Sequence, residues 1–87
     1  MKTIEWTDCT SYRRGEERNP RSWEAKAGTL SIKVVFGHLH HPKSWVMHCY
    51  KMGLDTERLE ATTEDDAKIE ALAIVRNTLR SWLRELI

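Results

Sequence analysis

The residues TTEDDAKIEALAIVRNTLRSWLREL, at positions 62–86, predict a long helix, and this helix determines the class of fold. It contains no glycine or proline, the residues that most often interrupt helices. Thr62 and Thr63 stand three residues ahead of Asp65 and Asp66, which resembles a capping box, and acidic side chains in a first turn favour the positive end of a helix. We therefore predict that one of the two threonines caps a helix that occupies residues 62–87.

The apolar residues of this helix form a stripe with a broad flank. The stripe consists of Leu72, Val75, Leu79, Leu83 and Leu86, at three- and four-residue steps. Ile74 lies about 130° round the helix from the centre of the stripe, and Trp82 also widens the apolar arc. The helix would extend about 36 Å, against about 23 Å for a seven-residue strand, so its last turns should project beyond a sheet.

The middle of the chain predicts a β-hairpin. Apolar and polar residues alternate over residues 23–27 and again over residues 30–36. Gly28 separates the two runs and supplies the positive φ that a hairpin turn needs. Residues 4–7 alternate more briefly and suit a short edge strand, whereas the polar residues 10–21 predict a loop.

A third strand is predicted at residues 45–52, which are rich in aromatic and apolar side chains and are followed by Gly53. Residues 37–44 should form the loop before it, because Pro42 cannot donate to a strand ladder. Residues 58–61 form either a short last strand or an extended lead-in to the helix.

These elements predict a single α+β domain over residues 1–87. It combines a three- to four-stranded antiparallel β-meander with one long C-terminal amphipathic helix packed on one face. The N-terminal segment and polar loop occupy residues 1–21, the sheet residues 22–61 and the helix residues 62–87. The predicted core comprises Trp23, Leu30, Ile32, Val34, Phe36, Trp45, Met47, Leu72, Val75, Leu79 and Leu83.

The third strand can face the core in two ways. Either Trp45, Met47 and Cys49 point inward, or Val46, His48 and Tyr50 do. We favour the first arrangement because it buries a cysteine and leaves His48 in water.

Length, charge and cysteine count exclude several classes of protein. With 87 residues and a net charge of +1, the chain can bury one core and has no global field that attracts a polyanion. Its two cysteines are too few for a disulfide framework, and no signal segment opens the sequence. No apolar run reaches the roughly 20 residues of a membrane span. We expect a cytoplasmic protein with free thiols and no membrane contact.

No residue pattern predicts catalysis. The chain has no glycine-rich phosphate loop and no nucleophile elbow. His38, His40 and His41, with His48 and Cys49, carry zinc-ligand atoms, but their spacing fits no closed site, and a His-rich polar loop is the simpler interpretation. His48 and Cys49 cannot meet, because adjacent strand residues point to opposite faces. We expect no enzyme, no cofactor and no metal, with the histidine cluster left open as a metal-site alternative.

Two groups of arginines suggest nucleic-acid binding as the second hypothesis. The helix carries Arg76, Arg80 and Arg84 along one edge, and the polar loop carries Arg13, Arg14, Arg18 and Arg21. Together they would form a basic surface for a phosphate backbone. In the alternative, the arginine stems cover the rim of the core and the guanidinium groups stay hydrated.

Binding to another protein is the first hypothesis. The apolar arc of the helix is wider than one sheet should cover, and exposed Ile74, Trp82 and Leu86 would mark an interface. We expect these residues to contact the Ile4/Trp6 segment or a second copy of the chain, with a foreign partner as the remaining candidate. The uncovered sheet face would add a mixed patch of Lys33, Val35, Val46, His48 and Tyr50.

The whole arrangement resembles the short open reading frames of phages and prophages. A tryptophan-led strand and a sheet meander are closed by one helix that begins after LEATTEDDA, residues 59–67. Such proteins with known roles frequently bind and inhibit a host protein, and they include the anti-CRISPR class. The resemblance implies a non-enzymatic inhibitor of a host protein and assigns no role to any residue.

Overall fold

The computed structural model describes residues 4–86, in which five strands precede one helix. These are β1 (Trp6–Asp8), β2 (Ser22–Ala27), β3 (Leu30–His38), β4 (His41–Cys49), β5 (Leu54–Arg58) and α1 (Glu64–Glu85). Each strand pairs antiparallel with the next, so the sheet order is β1-β2-β3-β4-β5. The α+β class, the meander and the long C-terminal helix are confirmed, with more strands than predicted. Residues 1–3 and 87, included in the predicted boundaries, lie outside the described part.

The first hairpin forms where the alternation predicts it. Ala27 pairs with Leu30, so Gly28 and Thr29 make a two-residue turn between β2 and β3. Gly28 has a φ of 62°, which its lack of a Cβ makes inexpensive. The short strand β1 pairs with the far side of β2 and forms the edge expected from the N-terminal alternation.

The second hairpin is much tighter than the predicted loop at residues 37–44. His38 pairs with His41, which leaves a turn of two residues, and the register shifts around Gly37, whose φ is 78°. Pro42 therefore lies within β4, contrary to the prediction. It is tolerated there because β5 does not extend along this part of β4, and a missing N–H on that side interrupts no ladder.

The chain turns from β4 into β5 through a single turn of 3-10 helix at Tyr50–Met52. Gly53 ends this turn in the left-handed region, at a φ of 74°, and its N–H donates to the Tyr50 carbonyl at 3.0 Å. The third strand thus ends earlier than the predicted residue 52. Of the two alternatives for residues 58–61, the lead-in to the helix describes residues 59–61, and the last strand, β5, lies earlier in the chain and ends at Arg58.

The core lies between α1 and the sheet face that carries alternate residues of β3 and β4. Its buried members are Ile32, Val34, Trp45, Met47, Cys49, Met52, Leu59, Ala67, Ala71 and Val75. The predicted inward set of β4 is confirmed. Trp23 and Leu30 are half buried at the margin of this core.

The helix turns a different face to the sheet from the one that its leucines predict. Its buried residues are Ala67, Ala71 and Val75, at four-residue steps. Leu79 and Leu83, assigned to the core from sequence, are 42% and 59% exposed. Small side chains allow the helix axis to lie close to the sheet, so the alanine face packs there and the bulkier leucines remain outside.

The helix begins at a capped and anchored end. Thr63 is the N-cap, and its hydroxyl oxygen accepts from the Asp66 N–H at 3.2 Å. The prediction that one of the two threonines caps the helix is therefore confirmed. The Glu70 carboxylate accepts from the N–H groups of Glu60 and Ala61 at 2.9 to 3.1 Å. These contacts fix the short connection between β5 and α1.

The first turns of α1 also attach to the β1–β2 edge. The Trp23 indole N–H donates to Glu64 at 2.8 Å, and the Lys68 ammonium lies 3.2 Å from the same carboxylate. That ammonium lies 3.8 Å from the centroid of the Trp23 ring and 5.8 Å from that of Trp6. The start of the helix is therefore held in place, and the helix projects from this anchored end.

Candidate protein-binding surface

The last two turns of α1 extend beyond the sheet. Every residue from 79 to 86 is exposed, which confirms the predicted overhang. Four large apolar side chains lie there and define the helix-end surface: Leu79 (42% exposed), Trp82 (42%), Leu83 (59%) and Leu86 (83%). Sequence reasoning placed Trp82 and Leu86 on an exposed surface correctly and placed Leu79 and Leu83 in the core wrongly.

The helix-end surface has two components on the helix circumference. At about 100° per residue, Trp82 lies only about 20° from Ala71 and so continues the core-facing side past the end of the sheet. Leu79 and Leu83 lie about 80° and 120° from Ala71, on one flank. The surface is thus an apolar arc that a neighbour can reach from the end or from that flank.

One predicted contact of this surface is wrong, and a second residue is only partly accessible. Ile74 is half buried against the core of its own chain, which leaves only part of its side chain for a partner. Trp6 packs at the opposite end of the helix, near Lys68. Trp82 lies fourteen residues, or about 21 Å, further along the helix axis, so the Ile4/Trp6 segment cannot cover it.

The open sheet face is less open than its alternation predicts. Val46 and His48, proposed as interface residues, are buried, and Val35 is half buried. Val46 lies between Val35 on β3 and Arg58 on β5, whose side chains share that face. Tyr50 is exposed, as expected, but belongs to the 3-10 turn. Of the predicted sheet patch, only Tyr50 remains an exposed candidate.

His48 is buried because the turn after β4 folds over it. The Tyr50 ring stacks on the imidazole with centroids 5.4 Å apart. The Thr56 N–H donates to His48 Nδ1 at 2.9 Å, so in the neutral ring the proton is on Nε2. The Asp55 carboxylate lies 3.2 Å from the same nitrogen. Two acceptors cannot bond each other, so the Thr56 bond is the one that the neutral ring makes.

The histidine rings of the β3–β4 hairpin lie side by side at tilted angles. The ring centroid of His38 lies 5.5 Å from that of His40 and 5.7 Å from that of His48. Among residues 4–86, no three His, Cys, Asp or Glu side chains are arranged to hold a metal ion. Cys9 is exposed, whereas Cys49 is buried, and burial raises the pKa of its thiol. The prediction that the chain is no enzyme stays a prediction.

The two arginine groups lie far apart. The arginines of the loop come just before Trp23, whose side chain contacts Glu64, the first residue of α1. Arg76 and Arg84 lie about 18 Å and 30 Å from Glu64 along the helix axis. Within the loop, Arg18 lies over the Tyr12 ring at 5.6 Å, and Arg21 pairs with Glu16 at 3.2 Å. The arginines therefore do not form the single basic surface that nucleic-acid binding would favour.

A shallow depression lies at the end of β3 and β4, beside the connection to α1. Phe36 and Trp45 line one side, with ring centroids 5.2 Å apart, and residues 58–62 line the other. Phe36 is partly exposed there, so its assignment to the core is wrong. The cause is position: β2 begins at Ser22, opposite Val35, and α1 begins beside Trp23, which pairs with Val34, so neither element reaches the Phe36 ring.

Among the described residues, no helix is both long enough and apolar enough to cross a membrane. The chain was compared with family models, with curated proteins and with solved structures, and no match was found.

Proposed function

We propose that this chain is a non-enzymatic binding module that acts through protein–protein contacts made by the helix-end surface. The observation that carries the proposal is the joint exposure of Leu79, Trp82, Leu83 and Leu86 at one end of the molecule. Apolar surface left in water costs about 25 cal/mol per Å². Contiguous exposed apolar patches mark interaction sites.

The form of this surface suits a protein partner. Its side chains recur at three- and four-residue steps on a helix, which is the spacing used both for docking into a groove and for helix pairing. Trp82 is of the residue type most enriched among those that dominate binding energy. Arg80 and Arg84 are exposed beside it and provide a polar rim.

The biological role that we propose is inhibition of a host protein by a phage-encoded factor. Its support is the arrangement of one closing helix on a sheet meander, which resembles the small reading frames of phages. A small module that is not an enzyme would act by occupying a surface of its target. Cytoplasmic location belongs to the same proposal.

Nucleic-acid binding is the alternative, and it has less support because the arginines are divided between two ends of the molecule. Binding to random DNA and RNA, measured while salt is increased, separates the alternatives. Contacts with phosphates would make the logarithm of the affinity fall with the logarithm of the salt concentration, by about 0.9 per contact on duplex DNA. The proposal predicts no such steep dependence.

A photo-crosslinking amino acid in place of Leu83 tests the proposed function. Asn77 is the matched control, because it is also exposed on α1 but lies about 120° round the helix from Leu83. Irradiation of the purified protein, and of cells that produce it, should give protein adducts from position 83 and not from position 77. Absence of any adduct from position 83, or equal adducts from both positions, would contradict the proposal.

A further inference from the structure

We infer that the occupant of the helix-end surface is a second copy of this chain, whose α1 packs antiparallel to the first. This inference rests on the proposed function and names the partner at this surface, so that a host protein would be contacted by the dimer through other residues. It starts from a side chain that the fold leaves unexplained. Ile69 is 63% exposed in the first half of α1, about 160° round the helix from Ala71, where its own sheet cannot cover it.

Ile69 begins a line of residues that reads the same in both directions. The line is Ile69, Leu72, Arg76, Leu79, Leu83 and Leu86, with steps of three, four, three, four and three residues. This is the alternating spacing of a helix-pair seam. In an antiparallel pair, Ile69 of one copy opposes Leu86 of the other, Leu72 opposes Leu83, and Arg76 opposes Leu79.

Such a pair covers Ile69 together with the leucines of the helix-end surface in both copies, while Trp82 lies at the margin of the seam. The last turns of each α1, which extend past their own sheet, would lie along the outer flank of the other α1, where Ile69 is exposed. Each copy thus supplies the cover that the other lacks. A partner that met only the overhang would leave Ile69 in water.

The distribution of charge favours the antiparallel direction. Residues 64–70 carry four acidic side chains and one lysine, whereas residues 76–85 carry three arginines and one glutamate. In the antiparallel pair, Arg84 comes opposite residue 71 of the second copy, so that the exposed Asp66 of that copy lies within about 8 Å along the axis. A parallel pair would oppose acid to acid and arginine to arginine, and its helix dipoles would be aligned.

Light scattering coupled to size-exclusion chromatography tests the association. The wild-type chain should have the mass of two chains, and Leu83→Glu should be a monomer with an unchanged circular dichroism spectrum. Asn77→Glu, which adds the same charge on an exposed helix position away from the seam, should remain a dimer. A wild type that is monomeric from micromolar to millimolar concentration would overturn the inference and would leave the proposed function to the crosslinking at position 83.

Cysteine pairing tests the direction, in a Cys9→Ser background that removes the exposed native thiol. Ile69→Cys and Leu86→Cys chains, mixed and mildly oxidised, should form a mixed disulfide, and neither chain should link to itself. Positions 69 of two antiparallel copies are about 25 Å apart along the axis, too far for a disulfide. Self-linked chains without the mixed product would show a parallel pair and overturn the inference, as would a Leu83→Glu variant that remains a dimer.

Discussion

At the residue scale, the polar loop before β2 is ordered by one carboxylate. Asp8 accepts from the Tyr12 hydroxyl at 2.7 Å and from the Thr10 N–H at 3.0 Å. The Tyr12 bond, followed by the Thr10 bonds and the Arg18 charge, lowers the pKa of Asp8 below its ordinary value of 3.8. Burial and the same Asp8 bond raise the pKa of Tyr12 above 10.0. The sequence predicted a loop here but gave no sign of this pair, because the two residues are four apart in a segment with no regular spacing.

The first prediction is that acid releases this loop. The folded pKa of Asp8 lies below the unfolded one, so the unfolded chain binds the proton more readily. The stability that Asp8 contributes is therefore present above about pH 3.8 and is lost as the pH falls through the folded-state pKa. An NMR titration of the folded protein should give the Asp8 carboxyl a pKa below 3.8, and Tyr12→Phe should shift that pKa back toward 3.8. A carboxyl whose pKa is the same in both proteins would show that the Tyr12 bond does not form.

The second residue-scale prediction concerns the helix cap. Thr63→Ala removes the hydroxyl that accepts from the Asp66 N–H and should lower the free energy of unfolding by about 1 kcal/mol. For a domain of this size, that corresponds to several degrees in the thermal midpoint. Thr62→Ala is the matched control, since Thr62 is the exposed neighbour outside the cap, and it should leave the midpoint unchanged. A lower midpoint for Thr62→Ala, with no change for Thr63→Ala, would mean that Thr62 is the cap and that the helix starts one residue earlier.

At the element scale, sequence patterns predicted the type and order of the strands and the helix better than they predicted which face of each element is buried. Alternation predicted the β2–β3 hairpin, and the threonine and acidic residues predicted the start of α1. The β3–β4 turn was missed because its two central residues, Leu39 and His40, carry no turn signal. His48 was predicted to be exposed because strand alternation does not take account of the 3-10 turn, whose Tyr50 ring covers the imidazole. The helix face was misjudged because hydrophobicity ranks leucine above alanine, whereas close packing selects the smaller side chain.

The third prediction tests the corrected helix face by comparing two truncations. Val75→Ala leaves a cavity beside the buried alanines and should lower the free energy of unfolding by about 2 kcal/mol. Leu79→Ala removes a larger but partly exposed side chain and should cost less in the monomer. Denaturant unfolding at low protein concentration measures both. A larger loss for Leu79→Ala would mean that the leucine stripe, and not the alanine face, packs against the sheet.

At the scale of the whole molecule, the anchored start of α1 and its free end have different roles. Trp23, Glu64 and Lys68 hold the first turns to the sheet, while the last turns extend past it with their apolar residues exposed. The overhang followed from sequence because the lengths of helix and strand are fixed by backbone geometry. What covers it did not follow, since no pattern within one chain specifies a second one, and the spacing of the seam gained meaning only once Ile69 was found exposed.

The thermal midpoint as a function of protein concentration distinguishes a chain that pairs through its helix end from one that does not. If a second copy of the chain covers the helix-end surface, association stabilises the folded state, and the midpoint of the wild type rises with concentration. The midpoint of Leu83→Glu should not depend on concentration and should match the wild type at high dilution. A wild-type midpoint independent of concentration, together with a Leu83→Glu variant that is less stable at every dilution, would contradict the account and place Leu83 in the core of a single chain.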